Sequence, residues 1–211
     1  MKQENTKDLI LEKALDLFSK RGYDAVSVDD IAKAVGIKAP SLYNHFGGKK
    51  EIFDGIVTRV CELYDRDTDK INIHVNTAEK DVNMLKNISE NALFELLKSI
   101  FCYSLHNETI SKFRKMLCIE QFRSPEISAL YTERYVDRIV FYHASIFKEL
   151  INSGEIKNED PETLATLYVS PVIVLLGICD RSPEKENECI GKLKKHVNLF
   201  YCEFNTKKSK I

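Results

Sequence analysis

GIKAPSLYNHFGGKKEIF, residues 36–53, is the stretch whose reading decides the fold. Its middle, residues 39–46, is too short to stand as an independent helix, yet it crowds Tyr43, Asn44 and His45 between glycines and lysines. Upstream, Ser27-Val28-Asp29-Asp30 has the S-x-x-D form of a capping arrangement, with Ile31, Ala32 and Val35 behind it on one apolar face. Gly36 suits the end of that helix, Ile37 packs into the angle that follows, and Lys38-Ala39-Pro40-Ser41 opens the next helix with proline in its first turn. Helix, tight turn and short helix make a helix-turn-helix, whose second helix leaves an outer face free for a DNA major groove.

The side chains on that piece suit such a task. Tyr43 and His45 can donate to phosphate oxygens, Lys38 and Lys49 meet them electrostatically, and Ser41 and Asn44 are short enough to reach base edges or sugar. Gly47 and Gly48 permit a sharp turn, so that a further helix starts at Lys49 with its N–H groups outward, which is itself an anion site. Leu42 and Phe46 are the residues expected to anchor the short helix to Ile31 and Val35. The formal net charge is only −1, but residues 31–50 hold Lys33, Lys38, Lys49 and Lys50 and no acid. A phosphate-seeking patch can therefore exist on a nearly neutral chain.

Elsewhere the chain reads as helical. Ser124-Pro125-Glu126, Asp160-Pro161-Glu162 and Ser182-Pro183-Glu184 repeat one helix-start signal: a capping oxygen, a proline in the first turn, then an acid favoured by the helix dipole. Only Pro171 falls inside a helical pattern, where a kink is expected. Leu9, Ala14, Leu17 and Phe18 recur at helical spacing, as do Cys189, Leu193, His196, Val197, Phe200 and Phe204. Alternation is limited to INIHVN at residues 71–76, read as a loop. The expectation is an all-α protein of about nine helices. The elements lengthen after residue 48, which divides the chain into a three-helix helix-turn-helix DNA-binding domain, 1–48, and a larger helical ligand-binding and dimerisation domain, 49–211.

Composition is that of an ordinary globular chain, 44% hydrophobic and 30% charged over 211 residues. The polar start MKQENTKD has no apolar core behind it, and no unbroken apolar run of bilayer length follows; the reading is cytoplasmic, with no membrane partner. The six cysteines include no C-x-x-C pair and are read as reduced thiols packed among apolar side chains. Cys102 and His106 lie four apart on one helical face, but no second ligand pair accompanies them, so neither a metal site nor a cofactor is expected.

Residues 27–53, SVDDIAKAVGIKAPSLYNHFGGKKEIF, resemble the DNA-binding signature of the TetR family: Ser or Thr before a helix, I-A-x-x-x-G, L-Y-x-H-F, two turn residues and K-x-x-x-F. The likeness extends back through LILEKALDLFSKRGYDAVSV, where Ala14, Phe18 and Gly22 fall at the family's positions. The resemblance implies that Tyr43 and Lys49 bind phosphates, as do the positions of Ser27 and His45 in many members, while Lys38, Ala39, Pro40, Ser41 and Asn44 face the groove. Val28, beside Ser27, completes the candidate DNA-binding set. Ala39 and Pro40 offer only apolar contacts, and the segment has no arginine to clasp guanine, so the operator sequence stays open.

The resemblance further implies a regulator, a repressor in this reading, that meets a palindromic operator as a homodimer and is released by a small, largely apolar effector. Residues 162–179 and 183–204 carry wide apolar stripes and are read as the dimer helices, with Leu164, Leu167 and Tyr168 turned inward and Val169, Ile173 and Ile178 left for a partner. In the aromatic-rich middle, Phe101, Tyr103, His106, Tyr135 and His143 are candidate effector contacts. The helix over residues 49–64 is expected to carry the effector signal to the DNA module. The alternative is an enzyme or small-molecule-binding protein with an idle N-terminal module. No G-x-S-x-G, Walker loop, H-E-x-x-H or clustered acid pair supports it.

Overall fold

In the computed structural model, which describes residues 2–70 and 78–206, the regular elements are all helical apart from one isolated bridge between Ile156 and Asn205. They are α1 (Lys2–Arg21), α2 (Val28–Val35), α3 (Ala39–Tyr43), α4 (Lys49–Asp69), α5 (Ala78–Leu85), α6 (Glu90–His106), α7 (Glu108–Glu120), α8 (Pro125–Thr132), α9 (Arg138–Asn152), α10 (Pro161–Arg181) and α11 (Glu186–Phe204). INIHVN, residues 71–76, lies outside the described residues.

The described residues form eleven α-helices, against the expectation of about nine. Asn107 separates α6 from α7: its side chain accepts from the N–H of Ile110 at 3.1 Å and caps the new helix. The stretch 126–152 is divided by a π turn, Glu133–Asp137, between α8 and α9. Two of the three proline start signals open α-helices, with Ser124 accepting from Ile127 N–H at 3.3 Å and Asp160 from Thr163 N–H at 2.8 Å. The third differs: Ser182 makes no side-chain cap, Pro183–Lys185 form a 3-10 turn, and α11 begins at Glu186. Helix α10 runs through Pro171, which has no N–H to offer the carbonyl of Leu167.

The chain packs as two compact units. The first comprises Met1–Asp67 with Asn107–Tyr131, so packing groups most of α4, α7 and most of α8 with α1, α2 and α3, which a boundary at residue 48 would set apart. Its core joins Ile10, Ala14 and Phe18 of α1, Ile31 of α2, Leu42 of α3, Ile52 and Ile56 of α4, and Phe113, Met116 and Leu117 of α7, all buried. An ion-pair chain ties α1 to α7: Lys112 meets Asp16 at 2.9 Å and Glu108 at 2.5 Å, and Lys20 meets Asp16 at 2.8 Å. The hydrogen bonds from Lys20 and Lys112 hold the Asp16 carboxyl below the usual carboxylate range.

The second unit comprises Thr68–His106 and Thr132–Ile211. Phe94, Leu97 and Phe101 of α6, Tyr142, Ile146 and Phe147 of α9, Leu164, Tyr168 and Val169 of α10, and Leu193, Val197 and Phe200 of α11 form its core. By length and composition α10 would suffice for a bilayer span, yet Leu164, Ala165, Tyr168, Val169, Leu175 and Cys179 on it are buried in this core.

The outward face of α10 is not the one expected. Val169 is 4% exposed, and Ile173 and Ile178 are half-buried, whereas Leu167 and Val174 stand 52% and 59% exposed, seven residues apart and so on one side of the helix. Leu199 of α11 is likewise exposed. The cysteines also divide: all six are free, Cys179 and Cys189 are buried and Cys61 and Cys102 half-buried, but Cys118 and Cys202 are exposed rather than packed.

Candidate nucleic-acid interface

The helix-turn-helix is built by local chemistry. Ser27 Oγ accepts from Asp30 N–H at 3.1 Å while the Asp30 carboxylate accepts from Ser27 N–H at 2.9 Å, a complete capping box at the start of α2. The Asp30 carboxyl is held below its usual range, first by the backbone hydrogen bond from Ser27. At the other end Gly36 has φ +80°, a left-handed conformation suited to glycine, and its N–H closes on α2 carbonyls. Ile37 N–H donates to Ala32 O at 3.0 Å, and α3 starts after Lys38 with Pro40 in its first turn. Helix α3 is five residues long, shorter than the rod expected over 39–46: His45 and Phe46 N–H both turn back to Leu42 O. Leu42 is fully buried, which fixes the rotation of α3 and turns its other side chains outward.

On that outer side the structure brings together Lys38, Pro40, Ser41, Tyr43 and Asn44, all exposed, with Tyr43 at 54%. Ala39 and His45 are half-buried at the two ends of the same segment, and Val28 is half-buried at the first position of α2. Ser27 is exposed, but its hydroxyl also donates to Asp30 at 2.8 Å, so both of its donors go to one carboxylate. Its part in a DNA contact would have to displace the cap.

Lys49 departs most from expectation. Its ammonium donates to the carbonyls of Tyr23 and Val26, each at 3.0 Å, approaches that of Asp24 at 3.5 Å, and lies 4.3 Å from the centre of the Tyr23 ring. Those groups occupy all of its donors, so the side chain clamps the α1–α2 turn instead of reaching outward for a phosphate. Lys50 is engaged as well, by Asp54 at 2.9 Å and by Glu126. The start of α4 is answered internally, since the Glu51 carboxylate accepts from Gly47 N–H at 2.6 Å. Of the basic patch expected from the sequence, Lys33 and Lys38 are the exposed lysines with no ion pair among the described residues. Lys49→Ala is accordingly expected to cost the first unit about 2 kcal/mol, the scale of charged hydrogen bonds, as measured by urea denaturation; a loss within error of zero would show that the clamp is idle.

The candidate effector contacts fall in the second unit but not in one place. Phe101 is core, Tyr103 is half-buried on α6, and Tyr135 is half-buried in the π turn. His106 is exposed and its Nε2 pairs with Glu186 at 3.0 Å, so it faces the surface. His143 alone joins a described ring cluster, with Tyr142, Phe147 and Tyr168. Tyr168 and Phe200, read from the sequence as packing residues, are both buried in the core beside this cluster.

Residues 10–56 match the family model described as bacterial regulatory proteins, tetR family. Over 48 residues the chain is 54% identical to IcaR of Staphylococcus aureus (strain Newman), the HTH-type negative transcriptional regulator of the biofilm operon icaADBC, and over 47 residues it is 51% identical to IcaR of Staphylococcus epidermidis. The first alignment spans 23% of this chain and 26% of that relative, so the chain covers about a quarter of the length of the curated relatives it matches. Solved structures share the fold over much more. NalD of Pseudomonas aeruginosa, the secondary repressor of the MexAB-OprM multidrug efflux pump, aligns with a TM-score of 0.66 at 17% identity, covering 96% of this chain and 98% of that one. A protein from Mesorhizobium loti MAFF303099 assigned to the same family aligns with a TM-score of 0.69 at 20% identity, covering 98% and 100%. Residues 10–56 thus match the tetR-family model, on a chain that shares its fold with these solved structures over nearly its whole length.

Proposed function

We propose that the protein is a DNA-binding transcriptional regulator, a repressor that binds a palindromic operator as a homodimer and leaves it when a small, largely apolar effector binds the helical body. In this reading residues 1–48 read DNA and residues 49–211 hold the effector and pair the two copies. The carrying observation is the outer side of α3: Lys38, Ser41, Tyr43 and Asn44 exposed together on a helix whose Leu42 is fully buried. Tyr43 and Lys38 suit phosphate oxygens, and Ser41 and Asn44 suit base edges. Two such helices must sit about 34–36 Å apart to enter successive major grooves. The exposed Leu167 and Val174 of α10 with Leu199 of α11 supply the apolar face for a symmetric pair.

Fluorescence anisotropy of the full chain with a duplex from its own upstream region, against a scrambled duplex of equal length, tests the proposal. Selective binding to the upstream duplex is expected, and equal affinity for both would sink it. The salt dependence divides the lysines: Lys38→Ala should lower the slope of log K against log salt by about one, whereas Lys50→Ala, whose charge Asp54 and Glu126 neutralise, should leave it unchanged.

A further inference from the structure

Cys179 and Cys189 stand ten residues apart in sequence, on either side of the break between α10 and α11. The fold brings them together. Both belong to the core of the second unit, 4% and 1% exposed, and both are free thiols. Cys61 donates its hydrogen to the carbonyl of Val57 at 2.8 Å, whereas the thiols of Cys179 and Cys189 hydrogen-bond to each other. Burial first, and then that bond, push the Cys179 thiol up to about 12, with the charges of Glu186 and Asp180 adding to the rise. At neutral pH Cys179 is therefore a protonated thiol, and a poor nucleophile while the core is closed.

The break beside the pair is lightly fastened. Ser182 makes no side-chain cap; its N–H donates to Ile178 O at 2.8 Å, and Lys185 N–H donates to Ser182 O at 3.0 Å across the 3-10 turn Pro183–Lys185. Pro183, Glu184 and Lys185 are exposed. Cys179 lies in the last turn of α10 and Cys189 in the first turn of α11. Helix ends beside an exposed turn open more readily than helix middles, so a local opening of this joint reaches both sulfurs.

We propose that Cys179 and Cys189 are a redox pair, which a low-molecular-weight disulfide converts to a disulfide fastening the end of α10 to the start of α11. When the joint opens, one cysteine loses its proton to water and attacks the small disulfide, forming a mixed disulfide and releasing one small thiolate. The other cysteine, deprotonated in turn, attacks the protein sulfur of the mixed disulfide and releases the second small thiolate. The two thiolates take up the two protons. Each cysteine sulfur gives up one electron, and the small disulfide takes both. A disulfide needs its sulfurs about 2.05 Å apart, and a pair already in hydrogen-bond contact closes the remaining gap by side-chain rotation at two helix ends. The pair does not depend on the regulator reading.

Thiol–disulfide equilibrium of the full chain in glutathione buffers at neutral pH tests the pair, with Cys118→Ser and Cys202→Ser in place so that the two exposed thiols do not compete. Acid quenching, alkylation and peptide mass spectrometry identify the linked cysteines. The Cys179–Cys189 bond is the expected product, and the folded chain should favour it about ten-fold or more over the same chain in concentrated urea, because the fold holds the sulfurs together. The oxidised chain should also melt at a higher temperature than the reduced one. Both thiols still free at the most oxidising ratio, a different pairing, or a bond no more favoured in the folded chain than in urea would each overturn the proposal.

Discussion

Replacing Gly22 by alanine is expected to destabilise the first unit by about 3 kcal/mol or more, with a fall in its melting temperature large enough to compromise folding. Gly22 has φ +84°, and a Cβ there would lie 2.0 Å from Glu120 Oε1, 3.2 Å from Glu120 Cδ and 3.4 Å from Ile119 Cγ2. The left-handed backbone alone costs a non-glycine residue about 1–2 kcal/mol, and overpacking a filled site adds about 1–3 kcal/mol. The Glu120 side chain has nowhere cheap to go. It is fully buried, neither carboxylate oxygen has a hydrogen-bond partner among the described residues, and the Arg123 guanidinium approaches no closer than 3.8 Å. Urea denaturation of Gly22→Ala, Glu120→Ala and the double variant closes the cycle. The double variant should recover the steric part, giving a coupling of about 1–3 kcal/mol. A Gly22→Ala protein as stable as the parent would show that α7 does not press on the end of α1 as described.

Introducing glutamate at both Leu167 and Val174 is expected to convert the protein to monomers and to weaken operator binding by about a hundredfold or more. The second half-site contact of a dimer is made at a high effective concentration, and a separated head loses it. Both side chains are exposed, so neither substitution removes a core contact of the second unit, and the fold itself should survive. Sedimentation velocity gives the mass and anisotropy on the upstream duplex gives the affinity. A double variant that stays dimeric would move the interface elsewhere on the chain. One that becomes monomeric yet binds the duplex unchanged would remove the two-headed reading of the operator.

What could be read from the linear chain was set by contacts within a few residues. Ser27 with Asp30 is a cap over three positions, Gly36 ends α2 because its own φ is positive, and Pro40, Pro125 and Pro161 start helices through their own missing N–H. The burial of Leu42 between outward Ser41 and Tyr43 follows from helical period alone. These local rules were sufficient for an all-helical chain with a helix-turn-helix near its amino end.

The tertiary structure decided whatever depends on a partner distant in sequence. Lys49 resembles a phosphate ligand until its ammonium is found on carbonyls 23 and 26 residues upstream, and Lys50 loses its free charge to Glu126, 76 residues away. Gly22 looks like an ordinary helix stop, but Glu120 makes it obligatory. On α10 the hydrophobic period allows several faces, and only packing against its neighbours buries Val169 and leaves Leu167 and Val174 outside. Capping and helical period are short-range effects written in neighbouring residues, while charge pairing and the choice among apolar faces are settled through space, after the helices have met.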